Sequence, residues 1–130
     1  MATWSDLVGY VRSNYKVSDE RPGMVKMVFE TENLRSQVVL LWHHTLMDGN
    51  EEWLQIESPF AQLGSVNLQQ ALEEVGRTVC GGAAVVFDLV TIRHAVPLAN
   101  LNINEFERPL TLVTTTADYL EQKLIGGDKY

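Results

Sequence analysis

The apolar residues near the end of the chain follow a spacing that constrains the fold more than any other feature of the sequence. Between Phe106 and Leu124 they are separated by steps of 4, 3, 4, 3 and 4 residues. An α-helix with this spacing carries one narrow apolar stripe along its length. We call this stripe the seam, and it consists of Phe106, Leu110, Val113, Ala117, Leu120 and Leu124. The seam predicts a long closing helix that packs against the rest of the chain or joins two copies of it.

Shorter stretches before the seam show either helical or strand periodicity. One face of a first helix is formed by Trp4, Leu7, Val8, Val11 and Tyr15. Strand character, with alternating or continuous apolar residues, is found in residues 24–30, 37–47, 52–58, 83–87 and 89–96. The composition of Asp48-Gly49-Asn50 is typical of a hairpin turn. These patterns predict a meander of three strands, followed later by two further strands separated by a turn or bulge around Asp88.

Two further helices follow the meander. Asn67 is a good N-cap for a short helix that contains the apolar residues Leu68, Ala71, Leu72 and Val75. Asn102 or Asn104 caps the closing helix, which ends at Gly126-Gly127. Pro109 marks a restart or a kink within it.

The resulting order, α-β-β-β-α-β-β-α, predicts an α+β fold. We expect a single antiparallel sheet with helices packed on it. The chain has 130 residues, of which 45% are apolar and 21% charged, as in an ordinary globular protein. A single domain is therefore predicted over residues 1–130. Residues 19–23 are interpreted as a break before the first strand, and residues 59–66 as a loop or irregular crossover.

The second predicted strand is apolar on both sides. Val38, Leu40 and Trp42 point one way, whereas Val39 and Leu41 point the other way. A single layer of helices covers only one of these sides, so the other needs a further helix, a second subunit or a bound protein. The candidate anchors for a partner are Val39, Leu41, Trp42, Met47 and Trp53, each of which could equally be a core residue. Trp42 and Trp53 flank the hairpin turn and are expected to lie near each other.

Charge and composition exclude several classes of partner and location. The net charge is −7, and residues 1–35 are neutral, so the acidic excess lies after Arg35. Phosphate backbones and anionic lipids repel such a chain. No apolar run approaches the length of a membrane span, and the first residues do not resemble a secretory signal. The single cysteine, Cys80, fits a reducing compartment. The cytoplasm is the expected location.

The sequence contains no motif that predicts chemistry. His43 and His44 are adjacent on a strand and point to opposite sides, although each could pair with His94. No metal-binding spacing, nucleophile elbow or phosphate-binding loop is present. We therefore expect no enzyme activity, no metal and no cofactor. The alternative left open is a small-molecule sensor or regulatory protein, or a minor enzyme that uses the histidines of the sheet.

One block of the sequence resembles a known family. Residues 93–101, Arg-His-Ala-Val-Pro-Leu-Ala-Asn-Leu, are followed by Glu105-Phe106 and by the run Ala-Asp-Tyr-Leu-Glu at residues 117–121. With the order of elements, this block resembles the YbjN family and, more broadly, the type III secretion chaperone-like fold. The resemblance in order covers nearly the whole chain, whereas the residue pattern covers its last third.

The resemblance implies a non-enzymatic, often homodimeric protein that holds an extended or amphipathic segment of a client protein. One version is a cyanobacterial chaperone that assists the assembly of carboxysome shell proteins. Secretion itself is not implied, because nothing in the sequence indicates a secretion substrate. The leading hypothesis is a cytoplasmic chaperone or adaptor that binds a client segment, forms a homodimer through the closing helix or the sheet, and binds neither nucleic acid nor membrane.

Overall fold

The computed structural model describes residues 1–31 and 34–126. Within them the chain forms three α-helices and six strands. In chain order these are α1 (Trp4–Asn14), β1 (Val17–Arg21), β2 (Met24–Glu30), β3 (Ser36–Leu46), β4 (Glu51–Gln62), α2 (Leu68–Val75), β5 (Ala83–Val86), β6 (Leu89–Pro97) and α3 (Ile103–Leu124). A short 3-10 helix, Leu63–Ser65, follows β4.

The strands form one antiparallel sheet in the order β1-β2-β3-β4-β6-β5. Strands β1 to β4 are consecutive in the chain and in the sheet. The chain then crosses through α2 and returns as the hairpin of β5 and β6, with β6 beside β4. The predicted α+β fold with a single antiparallel sheet is confirmed.

Strand β1 is an addition to the predicted order. Residues 19–23, interpreted as a break, form the end of β1 and a tight turn in which Gly23 has φ of +76°. Pro followed by Gly suits the two central positions of such a turn, because Pro fixes a negative φ and Gly accepts a positive one. The strand was missed because its residues are mostly polar and lack the alternation of a strand with a buried side.

Strand β4 also extends beyond its predicted end. Residues 59–62, interpreted as part of a loop, pair with β6 across an irregularity between Pro59 and Ala61. Proline lacks the N–H that a central strand needs, so it predicts an interruption. Here the last paired residue of β4 on the β3 side is Glu57, and Pro59 pairs only with Thr91 of β6. Because β3 does not pair with β4 beyond Glu57, the absence of an N–H at Pro59 costs no hydrogen bond to β3.

Helix α3 is the predicted closing helix. The Asn102 side chain accepts from the Glu105 N–H at 2.8 Å, and Glu105 Oε1 accepts from the Asn102 N–H at 3.0 Å. This reciprocal capping box satisfies two N–H groups at the start of the helix. The helix runs continuously through Pro109 and ends at Leu124, and Gly126 follows with φ of +85°. The second glycine of the predicted stop, Gly127, lies outside the described residues.

The core lies between the sheet and the helices. Val25, Met27, Val39, Leu41 and Ile56 have no more than 1% of their surface exposed, and their registers place them on one side of the sheet, which we call the helix face. Helix α3 packs on this side across β3, β4 and β6. The seam faces inward, since all its residues are buried except Leu124, which is half-buried. The seam therefore builds the core of one chain.

The other two helices lie on the same side. In α1, Trp4 stacks on His43 of the helix face with ring centroids 5.3 Å apart, and Tyr10 contacts Phe106 of α3. Helix α2 is joined to α3 because the Tyr119 hydroxyl donates to Glu74 at 2.9 Å. None of the helices formed by residues 1–31 and 34–126 has the length and apolar character needed to cross a membrane.

Candidate functional site

The side of the sheet opposite the helices, which we call the open face, carries a row of apolar side chains. Cross-strand registers place Met24 beside Trp42, and Val28 beside Val38, on neighbouring strands. Val28 is 44% exposed, and the other residues of the row are half-buried. The row consists of Met24, Val28, Val38, Leu40, Trp42 and Trp53, and the side chain of Lys26, which is paired with Leu40, lies among them. The prediction that β3 is apolar on both sides is thus explained, because one side forms the core and the other forms the open face.

The five candidate anchors do not share one surface. Val39 and Leu41 have no exposed surface and lie under the helices, so they are core residues and cannot serve as surface anchors. Trp42 and Trp53 lie on the open face as diagonal neighbours, since Trp42 pairs with Gln55 and His44 with Trp53. Met47 is 70% exposed, but it belongs to the β3–β4 turn. Only the two tryptophans remain as candidates on the open face.

A buried carboxylate lies at the centre of the open face. Glu57 is only 2% exposed. Its Oε1 accepts from the Trp42 indole N–H at 3.1 Å, and its Oε2 accepts from the Thr91 hydroxyl at 3.3 Å. The Arg93 Nε lies 2.8 Å from Oε2, close enough for an ion pair, although its N–H is not aligned for a hydrogen bond. The negative charge of Glu57 is therefore compensated by Arg93.

The polar contacts continue toward the hairpin end of the sheet. Arg93 Nη2 donates to Gln55 Oε1, and the same oxygen lies 3.0 Å from Nε2 of His44. Sequence patterns did not indicate this network, because its members lie on three strands. The available signal was Glu57 itself, since an acidic residue in the middle of an apolar strand needs a partner when it is buried. The network holds the Trp42 ring in one orientation on the surface.

The three histidines do not converge on a single site. His43 lies on the helix face, where its Nε2 is 3.0 Å from Glu52 Oε1, whereas His44 lies on the open face. His94 shares the side of His43 but lies on β6, with β4 between the two strands. Among residues 1–31 and 34–126, no three His, Cys, Asp or Glu side chains are grouped so as to hold a metal ion. Cys80 is buried, and burial raises the pKa of its thiol.

A groove of about 710 Å³ lies between α3 and the end of β2. Its apolar residues are Tyr15, Phe29 and Leu110, and its acidic residues are Asp118 and Glu30, whose register places its side chain on the open-face side with Val28. Hydroxyl and amide groups complete the lining, from Thr31, Thr111, Thr114, Thr115, Tyr119 and Gln122. The sequence did not predict this groove because its two walls lie about 80 residues apart in the chain. Periodicity reports which residues are buried, but not where two elements leave a gap.

Beside this groove, Glu107 of α3 joins two tyrosines. Its Oε2 accepts from the Tyr15 hydroxyl at 2.5 Å and from the Tyr10 hydroxyl at 2.8 Å. The bond from Tyr15, and then that from Tyr10, lower the pKa of Glu107. Burial and the bond to Glu107 raise the pKa of Tyr15. The cluster fastens the end of α1 to α3.

We expect the Tyr15→Phe variant to raise the pKa of Glu107 toward the ordinary value of a glutamate. The variant loses the hydrogen bond from Tyr15, which lowers this pKa more than the bond from Tyr10 does. A carboxylate with a lowered folded-state pKa adds stability above its unfolded-state pKa, and this stability is lost as the pH falls through the folded-state value. Glu107→Gln should therefore flatten the acid side of the stability profile below about pH 4.5, the ordinary value. Carbon NMR titration of the Glu107 carboxyl measures the first effect, and denaturant unfolding at a series of pH values, with Glu51→Gln as the control, measures the second. An unchanged Glu107 pKa in Tyr15→Phe would contradict this account.

No protein-family model matches the chain, and a comparison with curated proteins finds none that is significantly similar.

Proposed function

We propose that this protein is a non-catalytic chaperone or adaptor that binds a segment of a client protein on its open face. The observation that supports this proposal most strongly is the apolar row on that face, which no helix of the described residues covers. Exposed apolar surface of this kind is typical of sites where another protein binds. Trp42 lies within the row and is the natural central anchor.

The hydrogen bond to Glu57 makes Trp42 a favourable anchor. Large aromatic residues contribute most of the binding energy in many interfaces, and they cost less entropy when they are already held in the bound orientation. The indole N–H of Trp42 is bound to a buried carboxylate, so the ring does not need to be ordered when a partner binds. Trp53, its diagonal neighbour, enlarges the same apolar surface.

Charge indicates what kind of segment the open face accepts. The negative charge at its centre is compensated by the ion pair of Glu57 and Arg93. The protein as a whole has a net charge of −7. An apolar segment of a protein with a net positive charge would match this neutral centre and the overall negative charge of the chain. Nucleic acid and anionic membrane remain unfavourable partners for the same reason.

The family resemblance supports a more specific version of the proposal. In that version the protein lies in the cytoplasm, and its client is a subunit of a larger assembly such as a carboxysome shell. A homodimer belongs to this version, but it would have to use a surface other than the seam, which lies in the core of one chain. Light scattering over a range of protein concentrations tests the dimer, and the mass of a single chain throughout would contradict it.

A photo-crosslinking amino acid at position 40 of the open face tests the proposed client site in the native organism. We expect it to capture a segment of one specific protein, which is then synthesised as a peptide and titrated into the purified protein. Leu40→Lys should abolish binding of that peptide, because it replaces an apolar side chain of the row with a second positive charge opposite Lys26. Ile103→Lys is the matched control, since Ile103 is 50% exposed and lies on the helix side. Equal binding by both variants would contradict the proposed site.

A further inference from the structure

The two edges of the sheet differ in how well they are protected against pairing with another strand. The strand order places β1 at one edge and β5 at the other. Strand β1 has the sequence Val-Ser-Asp-Glu-Arg, and its register with β2 is irregular between Val17 and Asp19. Charged side chains and irregularities of this kind keep an edge strand from pairing with another chain. The β1 edge is therefore protected.

The β5 edge has none of these protections. Its sequence is Ala-Ala-Val-Val, and residues 78–87 include no charged residue and no proline. Its register with β6 is regular over all four residues. Val85 is 47% exposed, and Val79, which precedes the strand, is 89% exposed. A flat, uncharged edge with exposed apolar side chains favours the addition of a further strand.

Phe87, at the tip of the β5–β6 hairpin, is unfavourably placed for a single chain. It has φ of +52° and is 92% exposed. Two-residue hairpin turns normally have Gly, Asn or Asp at positive φ, and a bulky residue is strained there. A ring with so much exposed surface gains little from contacts with its own chain. An exposed aromatic side chain beside a free edge is typical of an interface.

The backbone of β5 shows which residues a further strand would contact. The Arg93 N–H donates to the Gly82 carbonyl at 3.1 Å, so Gly82 faces β6. In an antiparallel ladder, every second residue of a strand bonds to the same neighbour. Ala84 and Val86 therefore also face β6, whereas Ala83 and Val85 direct their N–H and C=O groups away from it. These two residues are the hydrogen-bonding positions of the free edge.

A second copy of β5 matches these positions. When two copies lie antiparallel with Ala84 beside Ala84, the Ala83 of each copy is opposite Val85 of the other. The outward N–H and C=O groups of both residues are then satisfied. The same register brings Phe87 beside Gly81 of the second copy, where no side chain obstructs the ring.

The charges at the two ends of the β5 region favour the antiparallel arrangement. Arg77 precedes the uncharged stretch and Asp88 follows it, and both are exposed. Arg77 contacts Glu74, but its side chain remains 71% accessible. Asp88 belongs to none of the ion pairs formed within residues 1–31 and 34–126. Antiparallel pairing turns the Arg77 end of one copy toward the Asp88 end of the other, whereas parallel pairing brings like charges together.

We propose that two copies of this protein pair through their β5 edges and join their sheets into one. The two-fold axis of an antiparallel strand pair is perpendicular to the sheet, so both open faces lie on the same side of the dimer. Two client sites side by side would hold a client with repeated segments more tightly than one. This interface rests on the homodimer of the proposed function, to which it assigns a surface, and not on the client site. The paired strands are short, so the dimer should dissociate on dilution.

The mass of the full chain in solution, measured by light scattering from low to high micromolar concentration, tests this interface. We expect the dimer at high concentration, and only the single chain for Val85→Lys, because the new charges face each other across the pair. Ser18→Lys, at an exposed position of β1, is the matched control and should still form the dimer. A dimer that persists in Val85→Lys would overturn the β5 interface but keep the homodimer. The mass of one chain throughout would overturn both.

Cysteine crosslinking tests the register of the two strands. Ala84→Cys places two thiols directly opposite each other, at about 4.5 Å between Cα atoms, which allows a disulfide under mild oxidation. Ala83→Cys should crosslink much less, because the residue opposite it is Val85. Cys80 is buried and stays unchanged. Ser18→Cys on β1 measures crosslinking by random collision. No crosslink in Ala84→Cys, or equal crosslinking in Ala84→Cys and Ser18→Cys, would overturn the proposed pairing.

Discussion

Replacing Phe106 with alanine should lower the free energy of unfolding by about 3–5 kcal/mol, the range expected when a fully buried aromatic ring is removed. Phe106 has no exposed surface, and its ring meets those of Tyr10 and Tyr15 edge to face, with centroids 6.1 and 6.5 Å apart. The loss includes these aromatic contacts as well as the cavity left behind. Because small proteins are stable by only about 5–15 kcal/mol, the variant should unfold much more readily.

The dependence of this stability loss on protein concentration shows whether the seam packs within one chain or between two chains. If Phe106 packs only within its own chain, the loss measured by denaturant unfolding is the same at low and high protein concentration. Phe106→Leu should lose less stability, and Ile103→Ala, at a half-exposed position of the same helix, should change it little. A loss that disappears at high protein concentration would mean that the seam joins two chains.

The second large effect is expected at Arg35. Its Nε is 3.0 Å from Asp118 Oδ1, and its Nη2 is 3.3 Å from Glu121 Oε1. The exposed side-chain fractions are 13% for Arg35, 14% for Asp118 and 0% for Glu121. Arg35→Met leaves two poorly solvated carboxylates without this compensation, and we expect it to cost about 3–5 kcal/mol. Thermal and denaturant unfolding measure the loss.

A double variant and an exposed pair provide the controls for Arg35. Arg35→Met combined with Glu121→Met should recover part of the stability, because the most deeply buried of the carboxylates is then also removed. Arg12→Met breaks an exposed pair with Glu20, in which Arg12 is 61% accessible, and should cost much less than Arg35→Met because solvent screens the pair. Equal losses for Arg12→Met and Arg35→Met would show that burial does not determine the strength of these pairs.

The parts of the fold that sequence could predict are those with a buried side. The seam predicted α3, and the alternation of apolar residues predicted the central strands, because burial against a neighbour imposes a period on the sequence. Strand β1 lacks such a period, since it is a solvated edge strand. Pro59 indicated an interruption, but only the neighbouring strand determines whether its missing N–H matters.

The candidate site was predictable only in part, for a related reason. The two apolar sides of β3 indicated an uncovered surface, but they could not show which side the helices occupy. For this reason Val39 and Leu41 were grouped with Trp42 as anchors, although the structure places them in the core. The network around Glu57 and the groove beside α3 depend on contacts between distant segments, and no local pattern encodes them.

The indole N–H resonances of the three tryptophans provide the most direct test of the open face. Trp42 and Trp53 lie on the open face, whereas Trp4 stacks on His43 on the other side of the sheet. The crosslinked client segment, prepared as a peptide, is titrated into the labelled protein while these three resonances are observed. We expect the Trp42 resonance to shift most, the Trp53 resonance to shift less and the Trp4 resonance not to move. A shift of Trp4 alone, or no shift at Trp42 when the peptide is bound, would contradict client binding on the open face.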